Sequence, residues 1–544
     1  MTCFLMLCLA ASLSAQAVGG RVADSYTGAP LSGALITLAS LETGAIDSVK
    51  TGADGAWSFT LSGISGEAAH NQPVTAQLYA NYPNPFNPAT TILFTLPRRG
   101  VVRLTVYNTR GQLVDEANAL LGAGSHRILW HSRGAAGLYL YTLHFEQQIL
   151  HGKMIQLDAG SGDGLGLFTA GEFPAGSREA STLNKKQSGE SYEIVLSCFG
   201  YCADTLQVLL AGGEYYDRAL ESIHRRALVV DLHNDILERI INDASYHLKD
   251  RHTWWQTDLP RMKMGGIDLQ LFAVWVDPSH YGAQPFNAAM NMIDRLESEV
   301  SLTGTGLQQV RHPEEINFAA ASEPVQFVIG VEGGHVIEDD LEKLYTLYHR
   351  GMRLLTITWN NSTNWATSCE DANKNSIGLS EFGRRVVRAC DSLGIIIDVS
   401  HVGPKTVQDI LATSRNPIVA SHSGADALRS HRRNLTDEQI IAIARSGGVV
   451  GVIFYPAFIA AAGRPATIST VIAHIDHIVQ LAGIDYVALG SDFDGVNDSL
   501  PTGLKQTSDL PNLTMELLKH GYTREEVEKI LGRNFLRVFN TVCL

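Results

Sequence analysis

Leu228-Val229-Val230-Asp231-Leu232-His233-Asn234-Asp235 is a short β-prone run that stops on an imidazole and a carboxylate. In an extended chain alternate side chains share a side, so His233 and Asp235 point the same way from one strand end. The texture recurs downstream: apolar runs at 228–232, 268–275, 326–331, 354–358, 395–399, 417–420, 449–454 and 486–490 read as strands buried on both faces. Segments of helical period lie between them, at 382–393, 406–412, 437–444 and 468–481. A last helix begins at Thr523, where Glu526 three residues on completes a capping-box signature. About eight strands alternating with helices over 224–544 predict an α/β fold, a (β/α)8 TIM-like barrel.

Such a barrel keeps its chemistry at the carboxyl ends of its strands. Metal-ligating residue types stand there: His233 and Asp235 after strand one, Glu332 in Glu332-Gly333-Gly334-His335 after strand three, His401 after strand five and His422 after strand six. Strand eight ends in Ser491-Asp492-Phe493-Asp494. A lone strand-end histidine is ordinarily structural, but three imidazoles and two carboxylates converging from four strand ends are a donor set for two zinc ions bridged by one carboxylate. His335, Asp398 and Asp494 read as loop-ordering or supporting residues. His474 and His477, on a helix away from the strand ends, read as surface or packing residues.

The 544 residues exceed one ordinary domain, and 45% hydrophobic against 18% charged residues leave ample core and exclude global disorder. With 56 acidic and 42 basic residues the net charge is −14, so no nucleic-acid partner is expected. Seven cysteines exclude a disulfide scaffold; Cys198 and Cys202 could close a hairpin or remain thiols. Residues 1–17, an apolar run followed by Ser12-Leu13-Ser14-Ala15-Gln16-Ala17, read as a signal peptide, and no later stretch is a transmembrane segment. Export, to the periplasm, outer surface or medium, is the expected localisation.

Ahead of the barrel the sequence predicts all-β sandwich modules. Over 18–75, short strands alternate with turns such as Gly52-Ala53-Asp54-Gly55, and 190–220 would supply missing strands of the same sandwich if the region between were an insertion. This stretch resembles a carboxypeptidase-regulatory-like domain through its Thr-x-x-Asp-Gly signal at Thr51 to Gly55. Residues 76–158 contain Asn81-Tyr82-Pro83-Asn84-Pro85-Phe86-Asn87-Pro88, whose prolines forbid helix, followed by alternating strands. That string resembles the immunoglobulin-like sorting domain of bacterial secreted proteins, which implies contacts with secretion machinery or a cell surface. The Gly- and Ser-rich stretch 159–189 reads as a flexible connector.

Residues 224–544 resemble the membrane dipeptidase (renal dipeptidase) family of metal-dependent amidohydrolases. The motifs are Asp231-Leu232-His233-Asn234-Asp235, Val331-Glu332-Gly333-Gly334-His335, Gly351-Met352-Arg353, Ile397-Asp398-Val399-Ser400-His401, Ser421-His422-Ser423, Arg432-Arg433-Asn434 and Gly490-Ser491-Asp492-Phe493-Asp494-Gly495. The resemblance implies a zinc metallopeptidase with two Zn2+ per chain. His233 and Asp235 would hold one ion, His401 and His422 the other, and Glu332 would bridge both. It assigns Asp492 to proton handling and Arg433 to the carboxylate of a dipeptide substrate, with a metal-bridging hydroxide as nucleophile. Where mammalian members carry a histidine after strand four, this chain has Trp359, followed by Asn360. Carbonyl stabilisation would then lean on zinc or Asn360, and Trp359 would reshape the pocket, for a D-residue at the C-terminal position for example. Two alternatives stay open: another binuclear amidohydrolase acting on lactones, phosphotriesters or β-lactams, and an inactive barrel in an adhesion protein. Whether the chain forms a homodimer also stays open.

Overall fold

The computed structural model describes residues 17–41, 44–60, 76–78, 81, 89–108, 112–122, 124–132, 137–146, 148–156, 164–165, 169–170, 190–210, 214–281, 284–304, 306–317, 324–496 and 500–544. The chain divides into two units, 1–223 and 224–544.

Among its described residues the first unit is β-structure, with two separate hydrophobic cores. One sandwich has two sequence segments. Ala17–Asp24 pairs with Ala56–Thr60 and with Arg218–Leu220, while Leu35–Ser40 runs between Ile46–Lys50 and Glu190–Ser197. Trp57, Phe59, Ile36 and Ile194 fill it. The Thr51-to-Gly55 signal has a local cause: the Thr51 hydroxyl accepts from Ala34 N and donates to Leu31 O, Asp54 accepts from Ala56 N, and Gly55 takes φ +74°. Between the two segments lies a second sandwich. Its sheets are Gln148–Gln156, Gly137–Phe145, Gly100–Asn108 and Leu113–Leu121, and Gly124–His131, Ala89–Leu96 and Gln77–Leu78 with short additions. Trp130, Tyr141, Phe94 and Phe145 are buried between them.

Several expectations about this unit fall outside the described residues: the leader over 1–16, Tyr82 to Pro88, and most of the connector. Ala17, the last residue of the expected leader, begins a strand. Within the expected connector, Gly164–Leu165 and Thr169–Ala170 are strand, paired with Gly124–His131. Cys198 and Cys202 are half-buried thiols rather than a disulfide.

The second unit is a closed barrel of eight parallel strands: β1 (Val230–Asn234), β2 (Leu269–Trp275), β3 (Val325–Glu332), β4 (Met352–Thr356), β5 (Ile396–Asp398), β6 (Ile418–Ser423), β7 (Val450–Val452) and β8 (Val487–Leu489). Alternate residues part company. Phe327, Ile329 and Val331 join the core between sheet and helices, while Val328, Leu354, Ile396 and Val419 join a second core with Phe535, Val538 and Phe539 of the C-terminal helix Asn534–Val542. One strand escaped the sequence reading: Leu307–Gln309 pairs with the start of β3 and is too short to show a period. The expected helices are Glu381–Leu393, Pro404–Thr413, Asp437–Arg445 and Ile468–Ala482. Thr523 and Glu526 form the reciprocal cap, beyond which the chain passes through a π-helical turn into the C-terminal helix.

Candidate metal centre and substrate cleft

Strand register brings the carboxyl ends level. Trp275 pairs with Glu332, Glu332 with Thr356, and Thr356 with Asp398. The period-two alternation that buries Val328 turns Glu332 to the same face, at the top of the barrel. β1 and β6 lose regular register between Asp231 and Asn234 and between Ala420 and Ser423, and His233 and His422 stand in those irregular segments. Such breaks re-aim side chains. His401 and Asp492 follow their strands in the left-handed region, at φ +68° and +60°, a conformation that costs a non-glycine residue energy and turns each side chain inward.

The result is one buried cluster. Glu332 Oε1 lies 2.9 Å from His401 Nε2 and 3.6 Å from His422 Nε2, while Oε2 lies 3.4 Å from His233 Nε2. Asp235 Oδ2 lies 3.2 Å from His233 Nε2. Two sets of donor atoms could each hold an ion: His233, Glu332 and His422, and His233, Asp235 and Asp492. His233 belongs to both, a different partition from the one the resemblance implied. Trp359, Asn360, Arg433 and Asp492 line the same cleft of about 480 Å³, so the structure brings together every residue singled out for the site.

The protonation pattern fits a cation. His401 Nδ1 lies 2.8 Å from the Asn360 amide oxygen, which can only accept, so Nε2 presents a lone pair. The Ser421 hydroxyl donates to Asp398, so it accepts from His422 Nδ1, and His422 also presents Nε2 as a lone pair. These two nitrogens face one another at 3.1 Å beside a carboxylate oxygen. Three acceptors in one buried space call for a positive charge. His233 Nε2 and Asp235 Oδ1 are likewise buried without a hydrogen-bond partner.

Burial, with the Arg433 charge adding to it, lowers the His401 pKa to about 4, and burial lowers that of His422 well below the usual range, so both rings are neutral, as ligation requires. Burial alone would also lower His233, but the Asp235 and Glu332 carboxylates more than offset it and raise it well above the usual value. Glu332 is held well below the ordinary carboxylate range by His233 and His401 despite its burial. Asp492 goes the other way, raised by burial and by the adjacent Asp235 carboxylate.

Residues 217–543 match the family model described as membrane dipeptidase, peptidase family M19. The chain belongs to that family. The membrane dipeptidase barrel is therefore that of a metal-dependent hydrolase acting on dipeptides. A Schizosaccharomyces pombe protein described as an uncharacterised dipeptidase is 31% identical over 329 residues, 58% of this chain and 80% of its own. Among solved structures, dipeptidase AC is 29% identical with TM-score 0.54, over 58% of this chain and 99% of its own. A Rhodobacter sphaeroides metallopeptidase, solved with a phosphinate mimic of the dipeptide L-Ala-D-Ala, is 28% identical with TM-score 0.54 over the same shares. Residues 80–156 match the secretion system C-terminal sorting domain family, which points to export; here that stretch is interior to the chain. No helix among the described residues is long and apolar enough to cross a membrane.

The residues kept out of the ligand set have other partners. His335 Nε2 bonds Val276 O, Asp494 accepts from Gln256 N, and Asp398 accepts from Thr356, Ser400 and Ser421. His474 is buried between Ala425 N and Ile459 O, and His477 pairs with Asp437. The sequence reading missed Trp275, Tyr455 and Phe458, which line the cleft of this dipeptidase. Trp275 was findable, since it ends β2 as Glu332 ends β3. Its ring centroid lies 5.1 Å from that of Trp359.

Proposed function

We propose that the barrel hydrolyses the peptide bond of dipeptides with two Zn2+ held by His233, Asp235, Glu332, His401 and His422. The observation that carries this reading is Glu332, whose two oxygens face different imidazoles, His233 on one side and His401 on the other. Metal in such a site polarises a carbonyl and lowers the pKa of water from about 15.7 towards about 7. Asp492, which lines the cleft beside His233 and Asp235, suits the group that takes a proton and returns it to the leaving amine.

Arg433 supports a short substrate with a free carboxylate. It is buried, its Nη2 bonds His422 O, and its Nε and Nη1 have no hydrogen-bond partner. Orphaned donors on a buried cation call for an anionic partner such as the free carboxylate of a substrate. Trp359 and Trp275 form an aromatic wall of the same cleft, and Asn360 also lines it. The ligand of the Rhodobacter sphaeroides relative supports extending the substrate class to a C-terminal D-residue. The sorting-domain match supports delivery to the periplasm, outer surface or medium, with secretion machinery as partner.

The test is zinc content of the full chain together with cleavage of L-L and L-D dipeptides, before and after chelation. About two zinc ions and chelator-sensitive cleavage are expected. Arg433→Ala should keep the zinc and raise KM about a hundredfold; an unchanged KM removes the carboxylate assignment.

A further inference from the structure

Beneath the cluster lies a polar layer inside the barrel. Thr356, Asp398 and Ser421 each stand two residues beyond a residue of the lumen core, namely Leu354, Ile396 and Val419, and all three are fully buried. Asp398 is the hub. Its Oδ1 accepts from the backbone N–H groups of Ser400 at 3.0 Å and Ser421 at 2.8 Å; its Oδ2 accepts from the hydroxyls of Thr356 at 2.7 Å and Ser421 at 2.6 Å. A serine hydroxyl has one proton to give. Because Ser421 gives it to Asp398, the 2.8 Å contact between Ser421 Oγ and His422 Nδ1 is a bond in which the ring donates. The His422 backbone N–H bonds the Ser400 hydroxyl at 3.0 Å, which fixes the main chain that carries the ring.

The barrel contains a second clamp of the same build, which separates shape from proton direction. Asp231 Oδ1 accepts from Ser491 N at 2.8 Å and its Oδ2 from Ser491 Oγ at 2.6 Å. There the serine oxygen accepts from Phe493 N at 3.1 Å, a backbone group with no tautomer to set. Gripping a serine by its amide and hydroxyl holds a strand end in both places; a ring is oriented in only one.

We propose that Asp398 is a positioning residue that fixes the tautomer of His422 through Ser421, keeping Nε2 free of its proton so that it can bind metal. This rests on the reading of His422 as a ligand. The deciding variant is Asp398→Asn. The two backbone N–H groups facing Oδ1 hold the amide oxygen there, so the new NH2 group points at the Ser421 and Thr356 hydroxyls. Ser421 then accepts from the amide and turns its own proton to the nearer of its two remaining neighbours, His422 Nδ1 at 2.8 Å rather than Ser400 Oγ at 3.3 Å, which leaves Nε2 protonated. Shape is conserved and proton direction is reversed.

Zn2+ affinity by competition titration and thermal unfolding of the metal-free full chain read the two effects apart. Asp398→Asn should weaken binding of one zinc ion by about 10- to 100-fold, the range typical of a lost ligand-orienting bond. Adding Ser421→Ala removes the wrongly directed hydroxyl, so the double variant should bind zinc more tightly than Asp398→Asn alone while unfolding at a lower temperature. A purely structural role predicts a fall in both. Wild-type zinc affinity in Asp398→Asn, or a double variant that binds no tighter than the single one, overturns the proposal. Should Asp398→Asn fail to fold, Ser421→Ala alone decides: weaker zinc binding supports the bond to Nδ1, and unchanged binding overturns it. His422→Ala separates the two readings, because if it binds zinc as the wild type does, the ligand assignment itself fails.

Discussion

Asn360 Oδ1 lies 2.8 Å from Nδ1 of His401, so the residue following Trp359 is committed to a neighbouring imidazole. Its amide oxygen sets the ring's tautomer and turns Nε2 towards Glu332. Asn360→Ala should lower zinc affinity by about tenfold. Asn360→Asp, which keeps the acceptor, should retain most of it. Equilibrium dialysis of the metal measures both, and equal losses in the two variants would deny Asn360 an orienting role.

Gly495 sits where no side chain fits without moving the two carboxylates beside it. A Cβ at this position would come within 2.1 Å of Asp235 Oδ2 and 2.2 Å of Asp492 Oδ1. Both atoms end flexible side chains, so Gly495→Ala should fold with a melting temperature close to wild type. Its zinc affinity and kcat should nevertheless fall by at least about tenfold, because the displaced groups are the ones the reaction is expected to use. Retained kcat in a folded variant would count against Asp492 as the proton carrier.

Trp359 stands between Trp275, at a centroid distance of 5.1 Å, and His401, at 6.2 Å. Replacing it by histidine removes bulk from the cleft wall and adds a group that can bond a carbonyl oxygen. Trp359→His should reorder kcat/KM across a panel of L-L and L-D dipeptides, with several-fold changes in rank. A uniform change in all substrates would mean that Trp359 does not read the side chain.

Stability should fall in acid through His224. Its ring is buried between the Thr514 hydroxyl and Gly265 O, and burial lowers its pKa from 6.5 to about 4. Protonation therefore favours the unfolded chain, in which the ring titrates normally. The contribution is fully present above about pH 6.5 and is lost as the pH falls towards 4, amounting to about 3 kcal/mol in all. His224→Gln should be less stable at neutral pH, yet lose less than the wild type between pH 6.5 and 4. Urea midpoints of the metal-free chain across that range measure the difference, and parallel curves would exclude this histidine as a source of acid lability.

The strand-end residues His233, Glu332, His401 and His422 were legible because each follows an apolar run that a barrel must bury, and burial of the run fixes where the next residue emerges. The eight barrel strands were legible for the same reason, with ends shifted by no more than three residues. What the sequence left open depends on bonds between residues far apart in the chain. Asp398 and Ser421 meet because β5 and β6 are neighbours in one register, Asp231 and Ser491 because β8 closes against β1, and Trp275 lies level with Glu332 because β2 pairs with β3. The sequence by itself determined which donor groups stand at the mouth of the barrel, since local pattern decides which residues end a buried strand. Only the tertiary structure decided which way each donor's proton points. That choice belongs to partners brought in from other strands, and the hydrogen-bonding capacity of a buried serine or amide is fixed by all its neighbours at once.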